Sequence, residues 1–114
     1  MRDNHLQTAA WAESCAVSWG LARGYTVCTN VSGHGPADMI LLKTMGKGPP
    51  IIMPLDVKAS FNSKSSGGLT LEQKWAGVRL LIVDPDGNCT LIPKGEERIK
   101  LSRKEKKEHE KVDK

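Results

Sequence analysis

Gly35-Pro36-Ala37-Asp38-Met39-Ile40-Leu41-Leu42 and Ile51-Ile52-Met53-Pro54-Leu55-Asp56-Val57-Lys58 are two apolar runs of strand length, with their aspartates eighteen positions apart. In an extended strand, successive side chains point to opposite faces. Asp56 and Lys58 therefore share one face, and Leu55 and Val57 the other. If Asp38 opens the neighbouring strand, its carboxylate converges on Asp56. Two carboxylates at close range repel unless a cation lies between them, and oxygen donors of this kind suit a hard divalent ion. The pattern predicts a site for Mg²⁺, with Mn²⁺ able to substitute. Asp38 and Asp56 are the expected ligands, and the backbone carbonyl of Val57 adds a third oxygen.

Lys58 has a task in such a site. Its ammonium, on the face of Asp56, can orient or help deprotonate an attacking water and steady the charge that develops on a phosphate. A divalent ion, two carboxylates and a lysine are the parts needed to hydrolyse a phosphodiester bond.

The surrounding sequence predicts a helix followed by a meander. Leu6 to Arg23 carries Leu6, Ala9 or Ala10, Ala16 or Val17, and Leu21 or Ala22 at helical spacing, and Gly24 ends it. Strands are expected at 25–31, 38–43 and 51–59, joined by the Ser32–Pro36 loop and a Gly-Pro turn. Pro54, with no N–H to donate, is expected to interrupt its ladder. Thr70 caps a brief helical turn at 71–76. A strand at 78–83, a turn at Asp84–Asn88 and a return strand at 89–93 follow. The polar Asn62–Gly68 stretch is expected to be mobile until ligand orders it.

Pro36-Ala37-Asp38 followed by Asp56-Val57-Lys58 resembles the bipartite signature of the PD-(D/E)XK nuclease superfamily. Within that superfamily, Val31-Ser32-Gly33-His34-Gly35-Pro36-Ala37-Asp38-Met39-Ile40 is similar to a segment of archaeal-type Holliday-junction resolvases, and the likeness spans about residues 13–83. It implies an α/β, restriction-endonuclease-like core, a mixed β-sheet flanked by helices. It adds Glu13 as a supporting acidic residue that contacts metal directly or through water, Ser32 as a phosphate or catalytic contact, and Gln73 as a site residue. It also implies a Mg²⁺-dependent endonuclease that acts on branched DNA as a homodimer. The chain departs from the resolvase pattern in having aspartate at position 56 and a very short second helix. A nicking nuclease with flap or fork preference, or a non-catalytic DNA-binding module on the same scaffold, therefore stays open beside a resolvase.

The 114 residues make one nuclease domain over 1–95 and a charged C-terminal helix or tail over 96–114. The net charge of +4 is concentrated late: residues 94–114 hold nine Lys/Arg against six Asp/Glu, whereas residues 1–93 hold eight against seven. A basic end suits a polyanionic partner. Arg98, Lys100, Arg103 and Lys104 are placed to meet phosphates, with Ser32, His34, Lys64 and Lys74 as further DNA contacts. Cys15, Cys28 and Cys89 have neither zinc nor redox spacing and read as reduced, mostly buried thiols. Trp11, Trp19 and Trp75 are expected in the core or in a subunit interface. No apolar run reaches membrane-spanning length, so a soluble intracellular protein with no membrane partner is expected.

Overall fold

The computed structural model describes residues 5–60, 68–96 and 99–100. A long helix, α1 (His5–Ala22), packs on one face of a five-stranded mixed sheet built from β1 (Thr26–Thr29), β2 (Met39–Lys43), β3 (Ile51–Ala59), β5 (Arg79–Val83) and β6 (Cys89–Leu91). The spatial order is β1-β2-β3-β5-β6. The β3–β5 pair is parallel and the other pairs are antiparallel. Between β3 and β5 come a two-residue strand, β4 (Leu69–Thr70), and the short helix α2 (Leu71–Trp75). This is the expected α/β mixed sheet.

The helix meets the sheet through small residues. Ala12 and Ala16 are buried against Met39, Leu41, Leu55, Val57, Leu81 and Val83. Gly20, one turn further, is also buried, and a Cβ there would lie 3.1 Å from both Leu41 Cδ2 and Val27 Cγ2. The i, i+4 row of Ala12, Ala16 and Gly20 lets the backbone sit close to the sheet, so the inward row keeps the expected Ala16 but takes Ala12 and Gly20 in place of Ala9 or Ala10 and Leu21 or Ala22. Leu21 points to solvent, as do Ala9, Ala10 and Ala22. The predicted end is correct: Gly24 takes φ of 84°. Tyr25 N–H donates to the Gly20 carbonyl and Gly24 N–H to that of Leu21, a Schellman closure that only a residue tolerant of positive φ makes cheaply.

Pro54 does not interrupt the sheet. Leu55 C=O and Val57 N–H both face β2, accepting from and donating to Asp38, so the backbone groups of Pro54 face the β5 side. There the parallel ladder begins only at Leu55 paired with Arg79. The missing donor falls where no strand waits for it.

A second apolar cluster covers the other face, where Leu69, Val78 and Leu80 pack with Ala37, Ile82 and Ile92. Ile99–Lys100 forms β7, a parallel partner of β4, where sequence predicted helix or tail. The rest of that segment from 101 on lies outside the described residues, as does the predicted mobile stretch apart from Gly68, which is buried.

Two further expectations change. Cys28 is exposed on edge strand β1, while Cys15 and Cys89 are half-buried and all three are free thiols. Trp19 is half-buried against the core, but Trp75 is 78% exposed on α2 and Trp11 lies near the surface. No helix among the described residues is long and apolar enough to cross a membrane.

Candidate active site

Asp38 stands one residue before β2, where the strand runs into its partner. Its N–H donates to the Leu55 carbonyl at 2.8 Å. Its carboxylate then takes over the ladder, with Oδ2 accepting from Val57 N–H at 2.7 Å. That amide belongs to the peptide bond joining Asp56 to Val57, so the side chain of Asp38 is fixed against the backbone of the second acidic residue. The two halves of the motif meet as the spacing predicted.

Asp56 lies on the sheet face opposite α1, across from Leu80 of β5. It is 5% exposed, and it is the charged residue found buried among those described. Its Oδ1 accepts from Gln73 Nε2 at 3.1 Å. Its Oδ2 is buried without a hydrogen-bond partner and has Lys58 Nζ at 3.5 Å, an ion-pair distance too long for a good hydrogen bond. Burial pushes the Asp56 carboxyl above the ordinary aspartate range. The charge of Lys58 opposes this, Asp38 adds to it, and the hydrogen bond from Gln73 opposes it again. Lys58 itself is partly exposed, so its end of the pair faces the open side of the site.

Glu13 reaches the same end of the sheet from α1. Its carboxyl is pushed up first by burial and then by the charges of Asp38 and Asp56. Three carboxylates therefore share one electrostatic environment, although no group of three His, Cys, Asp or Glu side chains placed to hold one ion together occurs among the described residues. The oxygens that could hold an ion here are those of the Asp38 and Asp56 carboxylates and of the Val57 carbonyl, which leaves the strand on the same edge as its N–H.

Gln73 ties the site to α2. Thr70 caps that helix, its Oγ1 accepting from Gln73 N–H at 3.1 Å, while Gln73 Oε1 accepts from Thr70 N–H at 2.9 Å. The same side chain donates through Nε2 to the Pro36 carbonyl at 2.9 Å and to Asp56. One glutamine thus completes a capping box and clamps the loop before Asp38 to the strand bearing Asp56.

Ser32 and His34 belong to the loop ahead of Asp38. The hydroxyl of Ser32 donates to Asn30 Oδ1 at 2.8 Å and accepts from His34 N–H at 3.2 Å, so its described bonds stay within the loop. His34 is exposed. The organiser here is Asn30, a residue that sequence reading passed over. Its Oδ1 also accepts from the N–H groups of Ser32 and Gly33, and its Nδ2 donates to the carbonyls of His34 and Ala37. Its own N–H donates to the Asp38 carbonyl at 3.0 Å. An asparagine two residues before a Gly-containing turn was the available signal.

Lys74 is exposed on α2, beside Gln73, and Lys100 lies in β7. Lys64, Arg98, Arg103 and Lys104 lie outside the described residues.

No family model matches the sequence, and no curated protein matches it. Among solved structures the fold is similar to that of a bacterial homing endonuclease, I-Ssp6803I, with a TM-score of 0.58 at 12% identity over 90% of this chain and 80% of that one. The α/β core described above is thus an architecture that a known endonuclease also uses.

Proposed function

We propose that the chain is a Mg²⁺-dependent endonuclease that hydrolyses phosphodiester bonds in branched DNA, with Holliday junctions as the first candidate substrate, and that it works as a homodimer. The observation that carries this reading is the convergence of Asp38, Asp56 and Lys58, with Asp56 Oδ2 buried and lacking a hydrogen bond. The Lys58 ammonium at 3.5 Å compensates that buried oxygen only in part, and a divalent cation would complete it. The likeness to an endonuclease fold supports nucleic-acid cleavage, and the resemblance of the Val31–Ile40 segment supports a branched substrate and a two-fold dimer.

Asp38, Asp56 and the Val57 carbonyl would hold the ion, and their hard oxygens fit Mg²⁺. The ion, when bound, neutralises charge on the phosphate and makes a water more acidic. The chain's own residues do the rest. The Val57 N–H and the Gln73 amide fix the two carboxylates so that neither has to reorient during reaction. Lys58, with its ammonium facing the open side, orients the attacking water and stabilises negative charge as it grows on the phosphoryl oxygens. Glu13, its proton held more tightly than in an ordinary glutamate, contributes a carboxyl at the edge of the site. Lys74 and the basic C-terminal segment attract the DNA backbone.

The test is incubation of the purified chain and Mg²⁺ with labelled four-way junction, flap, duplex and single strand. Cleavage of a branched substrate that stops with a chelator and with Asp56→Asn is the expected result. Binding without cleavage would assign the scaffold to DNA binding alone, and cutting untouched by Asp56→Asn would remove the assigned site.

A further inference from the structure

A mostly apolar pocket of about 410 Å³ is lined by Ala37 and Met39, the residues either side of Asp38, and by Pro54, two residues before Asp56. Ile40 and Pro54, cross-strand partners in β2 and β3, form its floor. Pro36 and Ala37 close one side, and Ala76 and Val78, after α2, close another. His34 supplies a polar group at the lining. Ile40, between buried Met39 and Leu41, turns to the opposite face of the sheet and is 38% exposed at the pocket.

The position of the pocket limits what can fill it. Pro54 and Asp56 stand on the same face of β3, two residues apart, about 7 Å by the rise of a strand. The loop wall, Pro36 and Ala37, leads directly into Asp38, and the α2 wall is attached to Asp56 through Gln73. A phosphate held at the acidic pair therefore has the pocket within the span of its own nucleotide. The occupant must offer flat apolar faces, a polar edge for the rim, and a tether to that phosphate. A nucleobase has all three properties.

We propose that this pocket receives one unstacked base of the strand being cut, adjacent to the scissile phosphate; the inference rests on the nuclease reading above. It gives that reading a source of selectivity. A base inside a duplex must be unpaired and unstacked before it can enter, whereas a base at a branch point or on a single strand is already free. The protein thereby favours branched DNA without reading base sequence.

The experiment places 2-aminopurine at each nucleotide flanking the cut position of a flap and of a junction. Its fluorescence is measured with the full chain at saturation in Ca²⁺ in place of Mg²⁺, which the same oxygens can hold, and only in samples whose strands a denaturing gel shows to be uncut. A change of threefold or more at one position is expected, and Ala76→Phe, which fills the pocket from an exposed helix end, removes it. The same variant is expected to lower the branched-to-duplex ratio of kcat/KM about tenfold. If Ala76→Phe melts well below the parent protein, Ile40→Trp fills the same space from the sheet side. No fluorescence change at any position, or both readouts unmoved in the filled variants, overturns the proposal. So does a filled variant that changes only the state of self-association, which would make the pocket an interface between copies. Cleavage without a base signal refutes the pocket alone. A base signal in a protein that cuts nothing refutes the nuclease reading and keeps the pocket, and absence of any DNA binding overturns both.

Discussion

Replacing Gln73 by alanine tests the link between α2 and the acidic pair. The change deletes the bonds from Nε2 to the Pro36 carbonyl and to Asp56 Oδ1, and the bond that Oε1 accepts from Thr70. The backbone half of the capping box, Gln73 N–H to Thr70 Oγ1, survives. Two neutral bonds at about 1 kcal/mol each and one to a carboxylate at about 2 kcal/mol sum to about 4 kcal/mol. Water can reach the exposed partners Pro36 and Thr70 after the change, so about 2 kcal/mol is expected, roughly 10 °C in the melting temperature of a domain this size. The effect on chemistry has a sign. The Gln73 bond is one of the forces holding the Asp56 carboxyl down against burial. Without it the proton binds more tightly, so the acid limb of the pH–kcat/KM profile moves to higher pH, while the alkaline limb stays in place. Urea unfolding and cleavage of a branched substrate across pH measure both effects. Loss of stability with an unmoved acid limb would show that Gln73 only caps the helix, and would refute its contribution to Asp56.

Asp56→Asn should stabilise the metal-free protein at neutral pH. The folded-state pKa of Asp56 is raised above the ordinary 3.8, so the native chain binds this proton more tightly than the unfolded chain, and stability falls as pH climbs through that window. The variant lacks this loss; its advantage in unfolding free energy should be absent below the ordinary value and appear above the raised one, and Mg²⁺ should narrow the difference by stabilising the parent alone. Asn30→Ala should cost about 1–2 kcal/mol and lower kcat by roughly a hundred-fold through misplacement of Asp38. Ser32→Ala should cost a few-fold at most, and a larger effect in single-turnover cleavage would assign Ser32 a direct contact to the substrate. Gly20→Val, with Leu41 and Val27 in the way, should destabilise by about 1–3 kcal/mol in urea unfolding.

The sequence by itself determined the strand register around the acid pair. The period-2 alternation in Leu55-Asp56-Val57-Lys58 can satisfy a buried sheet in only one phase, so the faces of Asp56 and Lys58 were readable before folding was considered. The left-handed end of α1 was readable for a similar reason, because Gly24 tolerates a backbone conformation that other residues resist. Helix phase was not readable. Small residues stand on more than one side of the helix, at Ala9, Ala10, Ala12, Ala16, Gly20 and Ala22, and which row turns inward depends on where the sheet leaves room, a close approach granted by Ala12, Ala16 and Gly20. Pro54 looked disruptive because a one-dimensional reading cannot tell that β5 begins one residue later. The double attachment of Gln73, the part played by Asn30 and the pocket floored by Ile40 and Pro54 likewise depend on segments separated by many residues. Their partners are chosen by tertiary packing, since a side-chain amide or an exposed isoleucine carries no local signal of what will stand a few ångströms away.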